Sequence, residues 1–330
     1  MDLVLVCPGC RTRTADRIDL RTLSAAGDLL ICECGRRYPV VDGVPIVMAD
    51  PGGYLRAELA TVVERELAPE VAALLAGDGP DDAPYPRLLE HLSIYLDGHW
   101  GDRAEPPPAG PGLTDPLGLR AVAAKIAERA AAPVELAVEL GCSTGRIVAE
   151  LARGARQVAG LDLHFGAVRR ARRLLDGERL AYNRRMIGRH YAPAIATAGE
   201  LAVPAHRRLL VCGDALDPPF VPGVFGRVVA LNLLDSVARP RQLLDVLDGL
   251  CAPGGELILT SPYAWTSSVM ADGDRLGAGD PAVAVAALLR DGLSARYVIE
   301  DEAELPWQLR RDARSCVSYS IHYIRARKIP

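Results

Sequence analysis

The sequence predicts an α/β protein: a doubly wound, mostly parallel seven-stranded sheet preceded by a small β-rich module. Three observations carry this. From about residue 117, short β-like apolar runs alternate with helical stretches, as in a parallel sheet covered on both faces. The last two strands follow one another with no helix between them, so the sheet closes on an antiparallel hairpin. Four cysteines crowd into the first 34 of 330 residues, among short apolar runs and Pro, Gly and Asp-Gly turns.

In order along the chain, runs at 3–6, 29–31, 40–41 and 44–47 read as strands of a module over residues 1–50. Residues 51–116 read as a helical connector or lid with a linker. Leu55, Leu59, Val62, Val63, Leu67, Val71 and Leu74 give 54–78 helical spacing. Leu88, Leu89, Leu92 and Leu96 do the same for 86–97, and 101–112 is a Pro/Gly-rich linker. Within 117–330, helices are expected at 118–131, 145–153, 166–176, 239–251 and 281–291. Strands are expected at 134–140, 157–163, 208–212, 224–231, 256–260, 295–300 and 316–325.

Composition narrows the function. With 49% hydrophobic and 24% charged residues, the chain is globular and not disordered. A net charge of −4 gives no global basic field, so nucleic acid is not an expected partner. No uncharged apolar run approaches the roughly 20 residues that span a bilayer, and the start shows no basic leader. The expectation is a cytoplasmic protein with no membrane partner. Eight arginines from Arg169 to Arg189 face only Asp176 and Glu178. They read as an exposed helix face, with a phosphate-binding patch as the alternative.

Cys7-Pro-Gly-Cys10 puts two thiolates on one turn, and Cys32-Glu-Cys34-Gly35 puts two on another. Two such knuckles offer zinc a tetrahedron of sulfurs, and about 50 residues with a thin core gain from a metal. Buried free cysteines or one disulfide are the alternative. Cys142, Cys212, Cys251 and Cys316 read as small buried hydrophobes. Together with Cys7–Cys10, the run Cys34-Gly-Arg-Arg-Tyr-Pro-Val-Val-Asp-Gly-Val-Pro-Ile-Val-Met48 resembles the small zinc-ribbon family whose stand-alone members bind and activate methyltransferases. That family has C-x-x-C where this chain has Cys32-Glu-Cys34. The resemblance implies a scaffold fused to its client.

Val138-Glu-Leu-Gly-Cys-Ser-Thr-Gly145 follows a strand and opens a helix. Its two glycines permit a sharp turn close to a ligand, and the amides at the helix start suit an anionic group. Asp162 ends the second strand, where an acid can accept both hydroxyls of a ribose. Asp214 ends the third strand and could accept from an adenine amine; Asn232 ends the fourth. All lie at the strand ends where doubly wound folds bind ligands. Their other reading is as ordinary caps and turn formers. Together with Ala252-Pro-Gly-Gly-Glu256, they make residues 117–330 similar to the class I S-adenosylmethionine-dependent methyltransferases. The resemblance implies a Rossmann-like methyltransferase fold. In it Glu139, Gly141 and Gly145 would hold the methionine part, Asp162 the ribose and Asp214 the adenine edge, with Cys142, Ser143, Leu163 and Ala215 as further cofactor-binding residues. Asn232 and Leu233 would border the methyl group and the acceptor.

Asn232-Leu-Leu-Asp235 stands where base-amine methyltransferases of this fold carry Asn/Asp-Pro-Pro-Tyr. With Leu259-Thr-Ser-Pro-Tyr-Ala-Trp265, Leu305-Pro-Trp-Gln-Leu-Arg-Arg-Asp312 and Ser318-Tyr-Ser-Ile-His322, it is similar to the ovothiol-pathway domain that N-methylates a mercaptohistidine imidazole. That domain also carries an extra segment between the second and third strands, here 177–206. The expectation is an N-methyltransferase acting on a small amino-acid-like acceptor. Asn232 or Asp235 would hold the ring N–H, with Asp235 as a helix cap the alternative. Tyr263 and Trp265 would wall the pocket, Tyr263 close to the chemistry, or else pack in the core. Arg310 and Arg311, placed in the hairpin loop, would clamp a carboxylate or stand solvated. Tyr95 and His99, with His91 and Trp100 nearby, would fold over as a lid, and His322 is a further candidate. Two other readings remain: a tRNA or protein methyltransferase that docks through the ribbon, and a non-catalytic scaffold.

Overall fold

A computed structural model describes residues 2–13, 18–64, 67, 71, 74, 93–103, 119–188, 190–277 and 279–329. The N-terminal residues form a small pair, β1 (Thr12–Arg13) with β2 (Ile18–Asp19). They also form a four-stranded antiparallel sheet of β3 (Ser24–Ala26), β4 (Leu29–Ile31), β5 (Arg37–Val41) and β6 (Val44–Pro45). The central sheet uses β7 (Val134–Leu140), β8 (Ala155–Asp162), β11 (Arg208–Cys212), β12 (Phe225–Leu231), β13 (Cys251–Ser261), β14 (Tyr297–Arg310) and β15 (Cys316–Lys328). Their order is β11-β8-β7-β12-β13-β15-β14. The five strands from β11 to β13 run parallel, while β15 is antiparallel to both its neighbours.

Between β8 and β11 stand β9 (Arg179–Ile187) and β10 (His190–Thr197), paired as a separate hairpin. This is the extra segment at 177–206. It corrects the reading of the Arg-rich stretch. The helix Phe165–Leu175 ends before the hairpin, and its Arg169 and Arg170 are buried on Glu64 at 3.1 and 2.6 Å. Arg184 is also buried, against Asp97. Buried guanidiniums need partners, and these three have them within the fold, so they leave the exposed face, on which Arg172, Arg173 and Arg179 remain at least partly open.

The parallel strands are nearly continuous apolar runs because helices cover both faces. The closing hairpin is longer than the sequence predicts. β14 runs from Tyr297 to Arg310 with alternating burial, so Glu302 and Glu304 project from one face of an edge strand that tolerates acids. A single-face alternation of this kind has no continuous apolar signal after Glu300.

The N-terminal residues share the core of the sheet. Val44, Ile46 and Met48 pack in one buried cluster, Leu5, Cys7, Tyr38 and Val47 in the other. Ile46 bridges β11 at Cys212, and Val47 N–H donates to Cys212 O at 2.9 Å. Val6 N–H donates to Pro219 O at 2.9 Å, and Arg11 pairs with Asp217 at 2.8 Å. The connector begins with helices Pro51–Ala57 and Leu59–Val63. Most of the predicted 54–78 helix beyond Glu64, and residues 75–92 and 104–118, lie outside the described residues. Residues 93–100 are helical, extending the predicted 86–97 helix at its C-terminal end. Cys142, Cys212 and Cys251 are buried as expected, whereas Cys316 is only half-buried. Among the described residues no helix is long and apolar enough to cross a membrane.

Candidate active site

The sheet reverses direction of growth between β7 and β12, and a cavity of about 490 Å3 opens there at the C-terminal strand ends. Gly141 leaves β7 with φ +80°, and a Cβ there would meet the Leu233 side chain at 3.1 Å. Only glycine lets the loop after β12 close so tightly over the loop after β7. Gly145 has another duty. Its φ is +83°, but a Cβ would strike Ala171 Cβ at 2.9 Å, so it lets two helices meet and does not line the cavity. Cys142 is likewise fully buried in the core away from the cavity.

Asp162 ties two strand ends together. Its Oδ2 accepts from Ser143 N–H and its Oδ1 from His164 N–H, both at 2.8 Å. One donor per oxygen leaves lone pairs for further hydroxyl donors. Burial raises its proton affinity, and the two amides oppose that. Glu139 is 2% exposed, and its Oε2 has no hydrogen-bond partner. Burial, then the charge of Asp162, pushes Glu139 well above the ordinary carboxyl range. A buried carboxyl oxygen without a partner, on a residue that lines the cavity, is left to pair with a donor from a ligand. Asp214 closes its own turn by accepting from Leu216 N–H at 2.8 Å, and it lines the cavity with Leu163, His164 and Ala215.

Asn232 and Leu233 line the cavity at the end of β12. Asn232 sits at φ +50°, held by Thr260, whose hydroxyl donates to Asn232 Oδ1 at 2.8 Å. That bond fixes the amide and leaves its oxygen one lone pair for an acceptor N–H. Asp235 is the stronger candidate. It is 8% exposed, lines the cavity, and its Oδ2 accepts from Ala264 N–H at 2.9 Å. It caps no helix, since the next one starts at Pro240 behind Arg239. Burial raises its proton affinity, with the Ala264 amide opposing.

The helix at 93–100 does fold over the cavity. Tyr95 and His99 line it; Trp100 is fully buried and its indole N–H donates to Thr144 O at 2.9 Å. Arg146 secures the end of this segment through His99 O at 3.0 Å and Asp102 at 2.6 Å. His99 is buried with Nδ1 unpartnered. Burial and the Arg146 charge pull it down to about 3, so its ring is neutral near pH 7. His91 lies outside the described residues.

Four predicted substrate residues do not reach the cavity. Tyr263 and Trp265 are absent from its lining; alternation along the chain presents Pro262, Ala264 and Thr266 instead. Tyr263 turns its hydroxyl to His322 Nδ1 at 2.8 Å. Arg310 ends β14, is 6% exposed, and binds Asp97 Oδ2 at 2.6 Å. Arg311 is exposed beyond the strand end and also stands off the lining. No described lysine or arginine lines the cavity. Trp307, Leu309, Tyr319, Thr266 and Val269 do, and the prediction missed them. Trp307 and Tyr319 stood inside the motifs already noted; their direction depends on strand register.

The four-cysteine cluster forms as expected. A tetrahedral zinc with Zn–S bonds near 2.3 Å spaces its sulfurs about 3.8 Å apart. Here Cys7 and Cys34 Sγ lie 3.9 Å apart, Cys10 and Cys32 Sγ 3.7 Å, and all four within 4.8 Å. The short C-x-C spacing is absorbed by Gly35 at φ +86°, whose N–H donates to Cys32 O at 2.9 Å. The Arg36 amide draws the Cys34 thiol down to about 6.

Residues 138–259 match the family model described as a methyltransferase domain. The chain is an S-adenosylmethionine-dependent methyltransferase. The scaffold reading gives way to this. A comparison with curated proteins finds no match. Among solved structures, the methyltransferase is similar to N-methyltransferase NodS from Bradyrhizobium japonicum WM9 in complex with S-adenosyl-L-homocysteine. The identity is 16%, the TM-score 0.42, and 70% of this chain and 99% of that one are covered. It is also similar to magnesium protoporphyrin IX methyltransferase from Synechocystis PCC 6803 with bound cofactor, at 14% identity and TM-score 0.41, covering 72% and 96%. A putative RNA methyltransferase from Pyrococcus horikoshii matches at 12% identity and TM-score 0.41, covering 63% and 82%. Likenesses this distant say nothing about what the chain methylates.

Proposed function

We propose that the enzyme N-methylates a small imidazole- or amine-bearing acceptor, with mercaptohistidine the first to test. One observation carries this reading. The acceptor side of the cavity combines Tyr95, Trp307 and Tyr319 with the Asp235 carboxylate and the neutral His99, and no described cationic side chain. Tyr95, Asp162, Asp235 and Tyr319 line the same cavity, and burial, then the charges of the other three, push the Tyr95 hydroxyl up. Aromatic walls and a carboxylate suit a flat, nitrogen-bearing ring. They do not suit a phosphate backbone, which disfavours tRNA.

The cofactor supplies a methyl group on a sulfonium centre. The chain's part is alignment, water exclusion and an unprotonated nucleophile. Glu139, with its unpartnered oxygen, suits the cofactor's ammonium group. Asp162 suits the paired ribose hydroxyls and Asp214 the adenine edge, while Leu233 and Asn232 border the methyl group. Asp235 then holds the acceptor's one ring N–H, leaves the other ring nitrogen free to attack the methyl carbon as the bond to sulfur breaks, and takes the N–H proton from the cationic product. With Arg310 and Arg311 off the lining, recognition rests on the ring and not on a clamped carboxylate.

The test is methyl transfer from labelled cofactor to mercaptohistidine, histamine and bulk tRNA. Label on a ring or amine nitrogen of the small acceptors is the expected result. Label on tRNA alone would sink the proposal.

We also propose that Cys7, Cys10, Cys32 and Cys34 hold one structural zinc ion. Metal analysis should find about one zinc per chain, falling towards zero in Cys10→Ser. Because metal binding adds directly to folding free energy, the melting temperature should fall with it. A metal-free wild type with an unchanged melting temperature after chelation would remove the idea.

A further inference from the structure

Tyr263 is a tyrosine held at φ +53°, directly after β13. A side chain in the left-handed region is strained, so the surroundings must hold it there. Three contacts do so. Its N–H donates to Ser261 Oγ at 3.0 Å, its carbonyl accepts from Trp265 N–H at 2.9 Å, and its hydroxyl meets His322 Nδ1 at 2.8 Å. His322 is 6% exposed, and its Nε2 lies 2.9 Å from Glu302 Oε1. The carboxylate takes the Nε2–H, which leaves Nδ1 to accept from the Tyr263 hydroxyl. The three side chains thus form a directed chain from a partly exposed acid on β14, through β15, to the turn.

The turn has a product. It aims Ala264 N–H at Asp235 Oδ2, while Pro262 and Ala264 face the cavity. Neither Tyr263 nor His322 nor Glu302 lines the cavity. We propose that Glu302, His322 and Tyr263 are positioning residues that set Asp235 for methyl transfer through the turn at 262–264. This rests on the reading of Asp235 as the group that holds the acceptor. If the turn relaxes, Asp235 loses its amide donor in a site where only 8% of it is exposed.

Tyr263→Phe and Glu302→Gln test this, since neither removes a buried charge and both keep side-chain size. Amide hydrogen exchange, read on the protein loaded with S-adenosylhomocysteine, should speed up at 262–266 in both variants. With mercaptohistidine as acceptor, kcat should fall about 10-fold in Tyr263→Phe, with KM and the S-adenosylhomocysteine Kd within 2-fold of wild type. The acid limb of the pH profile should move to higher pH, because Asp235 without its amide binds a proton more readily. Asp235 titrates under burial and the Ala264 amide, with Asp280, Glu304 and Glu302 acting on Tyr263 beside it, and Glu302→Gln keeps the Tyr263–His322 contact, so it should shift that limb less. Unchanged exchange at 262–266 in both variants overturns the proposal. So does a loss of S-adenosylhomocysteine binding alongside activity, which would mark a general structural role. If wild type turns over no imidazole or amine, the functional reading falls separately, and the exchange measurement still decides whether the chain holds the turn.

Discussion

Asp97→Asn is expected to remove about 3–5 kcal/mol of folding stability, the usual loss when a buried ion pair is broken from one side. Asp97 is 5% exposed, on the helix at 93–100. It accepts from Arg184 Nε at 2.9 Å and from Arg310 at 2.6 Å, and also from the Tyr182 hydroxyl. Arg184 and Arg310 are 8% and 6% exposed, so one carboxylate serves two buried guanidiniums. Removing its charge leaves both uncompensated where water cannot replace it. The same carboxylate joins three elements: the helix carrying Tyr95 and His99, the hairpin carrying Arg184, and β14 carrying Trp307 and Leu309. Denaturant unfolding should show the loss. In whatever fraction stays folded, the acceptor KM should rise while S-adenosylhomocysteine affinity holds. A loss below about 1 kcal/mol, the range of an exposed pair, would mean the cluster is solvated and not a latch.

Asp162→Ala should weaken S-adenosylhomocysteine binding by roughly 100-fold or more, since each charge-assisted hydrogen bond is worth about 1.5–3 kcal/mol. Two effects add. On the proposed role the ribose hydroxyls would lose their acceptors, and the amides of Ser143 and His164 lose the oxygens that fix the ends of β7 and β8. Asp162→Asn separates the two. It keeps the shape but turns one acceptor into a donor facing an amide N–H, so about a 10-fold loss remains even with the side chain in place. Calorimetric titration of both variants beside the wild type reads this directly. Wild-type affinity in Asp162→Ala would remove the residue from the cofactor site.

Much of the site could be read before any coordinates. A strand followed by Gly141 and Ser143, an acid closing each of the next two strands and Asn232 closing the fourth are local patterns. Strand ends converge in a doubly wound sheet whatever the details, so the meeting of Gly141, Ser143, Asp162, Asp214 and Asn232 at one cavity follows from periodicity and turn chemistry alone. The paired cysteines are equally local, because each knuckle is a few residues of backbone. The acceptor side was not legible in that way. Arg310 sits in a run of polar residues that reads as a loop, yet its partner Asp97 is 213 residues away, and that partner makes it a buried strand end. Tyr263 and Trp265 follow a core strand, as a pocket wall would, but one positive φ turns them away and presents their neighbours instead. Strand alternation and helix periodicity are properties of a few successive residues, and the sequence states them directly. Which long side chain meets which is settled only when distant elements pack, because a guanidinium or a phenol takes whichever partner the closed core leaves within reach.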